Sequence, residues 1–166
     1  MKTLITGGKS AQSLKLLKAF TEDQVILADY GEAPSFSSPQ YQFISLGEKN
    51  EDTIAHNLLN ACLDQEADRL LPLYSFELEA VVRSLVLFEE FNIHVLLPDL
   101  LTFPLYFQPS PANTKNWALF DQGELKFATI ADLPLLAKGK EKELNGVFYI
   151  GETENGFNPI LFTISK

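Results

Sequence analysis

The chain has 166 residues, enough for one domain with a real core and a small appendage. Hydrophobic residues make up 46%, which excludes disorder as a description of the whole. Thirteen basic residues face 22 acidic ones, a formal net charge of -9 with no local Lys/Arg cluster, so no nucleic-acid partner is expected.

Thr3 to Thr6 read as a buried strand, stopped by Gly7-Gly8. Ser10 is placed to cap the helix that follows, whose apolar face is Ala11, Leu14, Leu17 and Phe20. "QVILADY" is a second buried strand with Asp29 at its carboxyl end, and "GEAPSFSSPQ" is a loop. "YQFISL" is a third strand. Asn50 is expected to cap the next helix, with Glu51 and Asp52 in its first turn and Ile54, Leu58, Ala61 and Cys62 on its buried face. "RLLPLY" is a fourth strand, weakened by Pro72. Ser75 is expected to cap a helix through about Phe91, with Leu78, Val81, Val82, Leu85 and Phe88 as its face. "IHVLL" is a fifth strand, closed by Pro98. Strands alternating with helices predict a parallel sheet covered on both faces, with right-handed crossovers. The expected fold is α/β: a Rossmann-like three-layer domain over residues 1–99, strand order 3-2-1-4-5, with Thr3 to Thr6 central.

After Asp99 the pattern changes, and residues 100–166 are expected to form a small antiparallel β-rich part. "LTFPLYFQPSPANTKN" carries no helical period. "NWALF-DQG-ELKFATI" and "VFYIGE-TENGFN-PILFTIS" read as hairpins, with a short helix in "ADLPLLAKGKEKELNG". Trp117, Phe120, Phe127, Phe148, Tyr149 and Phe162 are assigned to the core or an interface of this part. Isolated hairpins are marginal in water, so the tail is expected to dock on the first domain and to form a homodimer interface.

Cys62, the single cysteine, lies in a helical pattern and reads as a buried structural thiol in a reducing compartment. No apolar run is long enough to cross a bilayer, and "MKTLITGG" is too short for a signal peptide, so a cytoplasmic protein without a membrane partner is expected. His56 and His94 have no partners at ligand spacing, and no motif joins a Ser–His–acid set. No metal, cofactor or catalytic residue is expected.

A dinucleotide fingerprint needs glycine at the turn, near the pyrophosphate and at the helix–strand contact. Here Gly7 and Gly8 are adjacent and the later positions are Ser10, Ala11 and Ser13, so the spacing is not met. A turn at a helix N-terminus can still take an anion, helped by Lys9 and Ser10; otherwise the glycines only let the chain turn. Asp29 sits where a ribose-binding carboxylate sits in dinucleotide folds, or it caps its loop. Tyr74, Ser75 and Glu77 follow the fourth strand and face the same crevice; capping accounts for Ser75 and the helix dipole for Glu77. A small anionic or nucleotide-like ligand is therefore expected above Gly7, Gly8, Lys9 and Ser10, bounded by Asp29, Tyr74 and Glu77, where free N–H groups point outward. Gly8→Val is expected to block it with only a modest effect on folding.

"LITGGKSAQSLKLLKAF", "VILADYGEAPSFSSPQY", "LLPLYSFELEAV" and "HVLLPD" in succession resemble the N-terminal, pre-ATP-grasp domain of ATP-grasp ligases such as carbamoyl-phosphate synthase-like and biotin carboxylase-like proteins. The resemblance covers about Met1 to Asp99 and implies that Gly7, Gly8, Asp29 and Glu77 border the substrate side of a site. "FPLYFQPSPANTKNWALFDQGELKF" is similar to a faded copy of the first strands of the catalytic unit. Where the family has Lys-Pro and a glycine-rich phosphate loop, this chain has Gln108-Pro109 and "SPANTKN", and the later acidic metal-binding segments are not identifiable. The resemblance thus implies a stand-alone pre-ATP-grasp-like domain that binds a small ligand or a partner without ATP-grasp catalysis of its own. An alternative is the substrate-side component of a split ligase, working with a separate ATP-grasp partner protein. A nucleotide-binding Rossmann oxidoreductase is the further alternative, disfavoured by the glycine spacing.

Overall fold

The computed structural model describes residues 1–36, 38–108, 116–130, 133–153 and 156–165. The chain forms two compact units, Met1–Val95 with the last residues from Ile164, and Leu96–Thr163. The division falls at Val95/Leu96, a few residues before Asp99. Ile164 returns to the first unit because it pairs with the chain beyond β4: its N–H donates to the Leu73 carbonyl (2.7 Å) and its own carbonyl accepts from Ser75 N–H (3.0 Å).

The first unit runs β1 (Lys2–Thr6), α1 (Ala11–Lys15) tightening into a 3-10 turn (Leu16–Phe20), β2 (Gln24–Asp29), β3 (Tyr41–Ser45), α2 (Ile54–Asp64), β4 (Arg69–Leu71), α3 (Ser75–Val82), α4 (Leu85–Glu90) and β5 (His94–Val95). All neighbouring strands are parallel, in the order β3-β2-β1-β4-β5 expected from the alternation. Val25 to Asp29 and Thr3 to Thr6 are buried residue after residue, the pattern of strands covered on both faces. β4 stops before Pro72, which has no N–H to extend the ladder.

Expectations for three helices are corrected. The first helix buries Ser13, Leu16 and Phe20, whereas Ala11 and Leu14 are exposed and Leu17 is half-buried. The buried set shares only Phe20 with the expected apolar face. The buried Ser13 hydroxyl is satisfied by the Ser10 carbonyl at 2.8 Å. Asn50 does not cap α2: its Oδ1 accepts from Asp52 N–H (3.0 Å) in a turn of its own, and the helix starts at Ile54 beyond both acids. Ser75 is not a cap either. Tyr74 is the N-cap residue, without a side-chain hydrogen bond, and the expected long helix is broken at Arg83-Ser84, where Ser84 N–H bonds back to Val81 (2.9 Å) in a tighter turn.

At the amino ends of the strands, Arg69 from β4 pairs with Asp23 and donates to Thr3 Oγ1 (3.2 Å), while Thr3 donates to Asp23 (2.7 Å). The pair is nearly buried, with side chains 9% and 10% exposed, so it joins β1, β4 and the start of β2.

The second unit contains β6 (Trp117–Asp121), β7 (Glu124–Ala128), β8 (Gly146–Thr153) and β9 (Gly156–Leu161), an antiparallel sheet in the order β7-β6-β8-β9. Gln122 and Gly123 turn the first hairpin with φ of 49° and 88°, the two positive values of a type I′ turn. Helix α6 spans Leu133–Glu141, and its Gly139 lies so close to the Phe120 ring that a Cβ would come within 2.1 Å of Cε1. Trp117, Phe120, Phe148, Tyr149 and Phe162 are buried within this unit. "LTFPLYF" holds one unexpected helical turn, α5 (Phe103–Tyr106). Asp99 Oδ1 prepares it by accepting from Thr102 N–H (2.8 Å), and Pro104 fits its first turn. No helix among the described residues is long and apolar enough to cross a membrane.

Candidate functional site

β1, β2 and β4 end side by side, and each delivers one part of a hydrogen-bonded cluster. β1 ends at Thr6 and the chain turns at Gly7, whose φ of 71° is a left-handed value that glycine adopts without strain. Gly8 has a different constraint. A Cβ there would lie 2.7 Å from Leu27 Cβ and 2.9 Å from the Leu27 carbonyl carbon, so the turn packs directly on the β2 backbone. That overturns the expected modest effect of Gly8→Val on folding, because backbone cannot move aside.

The N–H groups of the turn do not point free into solvent as expected. Gly8 donates to the Ala28 carbonyl (3.0 Å), Lys9 to Asp29 Oδ2 (3.0 Å) and Ser10 to the Gly7 carbonyl (2.9 Å). The Ser10 hydroxyl caps α1 as expected, accepting from Gln12 N–H at 3.2 Å. The anion beside the turn is the chain's own. Asp29 ends β2, is 2% exposed, and also accepts from Tyr30 N–H (2.8 Å) and from the Tyr74 hydroxyl (2.7 and 2.8 Å to its two oxygens).

Glu77 is the second carboxylate. It stands in the first turn of α3, as the dipole argument places it, but it is fully buried. One oxygen accepts from Thr6 Oγ1 (2.6 Å), which in turn accepts from Leu73 N–H (2.7 Å); the other accepts from the Tyr30 hydroxyl (2.8 Å). Burial pushes the Glu77 carboxyl up to about 7, against the pull of the two hydroxyl donors, and the Asp29 charge adds to the rise. Burial likewise raises both phenols well above their ordinary value, followed by Glu77 for Tyr30 and by the hydrogen bond to Asp29 for Tyr74. Neither carboxylate pairs with a cationic side chain among the described residues.

Over the cluster lie three rings. Tyr74 and Phe76 stack at 5.2 Å, Tyr30 is 5.5 Å from Phe76 and 6.0 Å from Tyr74. Lys49, from the loop after β3, places its Nζ 3.8 Å from the Phe76 centroid. Lys9 Nζ instead donates to the Tyr30 carbonyl (2.7 Å) and so ties down the loop after β2.

The structure therefore brings Gly7, Gly8, Lys9, Ser10, Asp29, Tyr74 and Glu77 to one end of the sheet, with Asp29, Lys9 and Tyr74 in direct contact. Sequence reasoning missed Thr6, Tyr30, Phe76 and Lys49. The signal for Tyr30 was its place directly after Asp29 at a strand end. No signal marked Lys49, which is remote in sequence. Among the described residues, no group of three or more His, Cys, Asp or Glu side chains is arranged to hold a metal ion. Each oxygen of both acids accepts at least one hydroxyl or N–H, and Asp29 is the more fully satisfied of the two. In comparison with known proteins, no family model matches this chain and no curated protein is similar to it.

Proposed function

We propose that this chain is a small-ligand-binding or interaction module of the pre-ATP-grasp kind, with no ATP-grasp catalysis of its own. Its ligand sits at the carboxyl ends of β1, β2 and β4, against Tyr30, Tyr74 and Phe76. One observation carries the reading: Asp29 and Glu77 are buried together and, among the described residues, held by hydroxyl and N–H donors and by no cation. Burying carboxylates without a cation costs stability, and a carboxyl shifted as that of Glu77 is belongs to the kind of group that concentrates at functional sites. Their place supports the same reading, because open parallel sheets of this order bind ligands beyond the carboxyl ends of their central strands.

Backbone amide spectra of the full chain, titrated with a panel of nucleotides, amino acids and small amines, test it. The expected result is a saturable set of shifts confined to Lys9, Tyr30, Tyr74, Phe76 and their neighbours. Ligands that shift only the amino end of the sheet, around Gln24 and Tyr41, would refute the placement. A broad panel that shifts nothing would refute the binding reading.

A further inference from the structure

We propose that the ligand is a small organic cation, with an alkylammonium group seated on the face of Phe76 beside Tyr30, and that Lys49 holds that seat when the ligand is absent. The proposal rests on reading the carboxyl-end crevice as the ligand site, and it names the ligand's chemistry.

Three independent features select a positive charge. The first is the rings. Tyr30, Tyr74 and Phe76 lie within 5.2 to 6.0 Å of one another, and Tyr30 and Phe76 are only half-buried. The face of an aromatic ring is its negative part and attracts an ammonium group. Two of the rings are phenols whose hydroxyls donate to Glu77 and Asp29. Donating to a carboxylate leaves a phenol ring richer in electrons and its face more attractive to a cation.

The second is the charge behind the rings. Asp29 and Glu77 are 2% and 0% exposed, and no cationic side chain among the described residues neutralises them. The field of Asp29, joined by that of Glu77 whenever it is ionised, favours a cation over the rings and opposes a phosphate. A phosphate would also find the Gly8, Lys9 and Ser10 N–H groups already engaged.

The third is Lys49. Its ammonium lies 3.8 Å from the Phe76 centroid, so an alkylammonium group already fits that position. Its second partner is exposed Glu51 at 3.3 Å, and the Lys49 side chain is itself 38% exposed. A solvated lysine on a loop is a replaceable occupant. A ligand that displaces it loses no buried ion pair and leaves Lys49 beside Glu51.

The test is an aromatic and methyl NMR titration of the full chain with choline and with 3,3-dimethyl-1-butanol, the neutral carbon analogue. Choline should shift the Tyr30 and Phe76 ring signals saturably, and the neutral analogue should not. Lys49→Ala removes the competitor and should tighten choline by about two- to fivefold, the worth of an exposed cation–π contact. Phe76→Leu keeps an apolar side chain and should abolish the effect. Equal binding of the neutral analogue would overturn the proposal, as would an unchanged affinity in Lys49→Ala or no saturable shift in either protein. Inorganic phosphate or ADP moving these same rings where choline does not would overturn the cation while leaving the crevice as the site. Choline shifts confined to the amino end of the sheet would overturn both.

Discussion

Tyr74 donates its hydroxyl to both oxygens of Asp29, at 2.7 and 2.8 Å, and so bridges the ends of β4 and β2 across the central strand β1. The same carboxylate accepts from Lys9 and Tyr30 N–H, which fixes the β1 turn and the β2 loop to one acceptor. Tyr74→Phe keeps the ring and its stack on Phe76 but removes a donor from a buried charge. It should cost about 1.5–3 kcal/mol in urea unfolding, the range for a hydrogen bond to a charged group. An unchanged midpoint would mean that the two N–H groups satisfy Asp29 without the phenol.

The two glycines of the turn should respond differently to alanine. At Gly7 the new Cβ meets the end of the flexible Ile164 side chain at 2.7 Å, and the φ of 71° adds backbone strain. Side-chain ends can move, so Gly7→Ala should cost about 1–2 kcal/mol. At Gly8 the Cβ meets Leu27 Cβ at 2.7 Å and its carbonyl carbon at 2.9 Å, in a strand paired on both sides. Gly8→Ala should therefore be the more damaging, by about 1–3 kcal/mol over Gly7→Ala, and Gly8→Val should not accumulate as folded protein. Circular dichroism melts of both alanine variants give the order directly, and the reverse order would contradict the packing.

The central strands β1, β2 and β4 were legible because burial on both faces leaves short apolar runs between turn residues, whereas edge strand β3 has no fully buried residue. The gathering of Gly7, Asp29, Tyr74 and Glu77 followed from topology alone, since all of them trail parallel strands. Less legible was the phase of α1: the buried face includes Ser13, a polar residue that a hydrophobic repeat does not count. Asn50 and Ser75 carry cap chemistry, but a serine or asparagine near a helix start can serve a turn or a tertiary contact equally well. Glu77 has the same ambiguity. A first-turn acid reads as a surface partner of the dipole, and only the tertiary fold, by bringing Thr6 and Tyr30 to it, makes it a buried one. The Asp23–Arg69 pair was hidden for a similar reason, because its members are 46 residues apart in sequence.

Glu77 should make stability depend on pH. Its carboxyl titrates at about 7 in the folded chain against an ordinary 4.5, so the native state holds the proton more tightly. The associated stabilisation is complete below about pH 4.5, is lost as pH rises through about 7, and changes little above that. A rise of this size corresponds to about 2–4 kcal/mol. Thr6 and Tyr30 donate to the group and Asp29 faces it with like charge, so all three belong to the titrating cluster. Asp99 and Glu124 are shifted the other way by Thr102 and Lys126, and they act at the acidic end, outside this window. Glu77→Gln mimics the neutral acid. The difference in unfolding free energy between wild type and Glu77→Gln should shift against the wild type between pH 5 and 8. Parallel curves would show that Glu77 keeps one protonation state throughout.

The chain alone should neither bind Mg-ATP productively nor hydrolyse it. Phosphoryl transfer relies on positive charge and metal ions held against the phosphates. Gln108 stands where the resemblance to ATP-grasp ligases places a lysine, and it is an exposed neutral amide. "SPANTKN" stands where that family has glycines; Lys115 in it lies outside the described residues, so its contribution is argued from sequence alone. The other candidate phosphate cradle is the β1 turn, and there Asp29 already takes the Lys9 N–H while Gly8 and Ser10 bond to backbone carbonyls. A nucleotide phosphate would have to displace a buried carboxylate that the phenol of Tyr74 holds in place. The net charge of -9 opposes a polyanion further, within the reach that salt allows. Calorimetry with Mg-ATP and a phosphate-release assay over hours should both be flat. Micromolar affinity that disappears in Lys115→Ala would contradict this and would favour a catalytic role for the second unit. Affinity that survives Lys115→Ala but disappears in Lys9→Ala would instead place the phosphate beside the Lys9 side chain at the β1 turn.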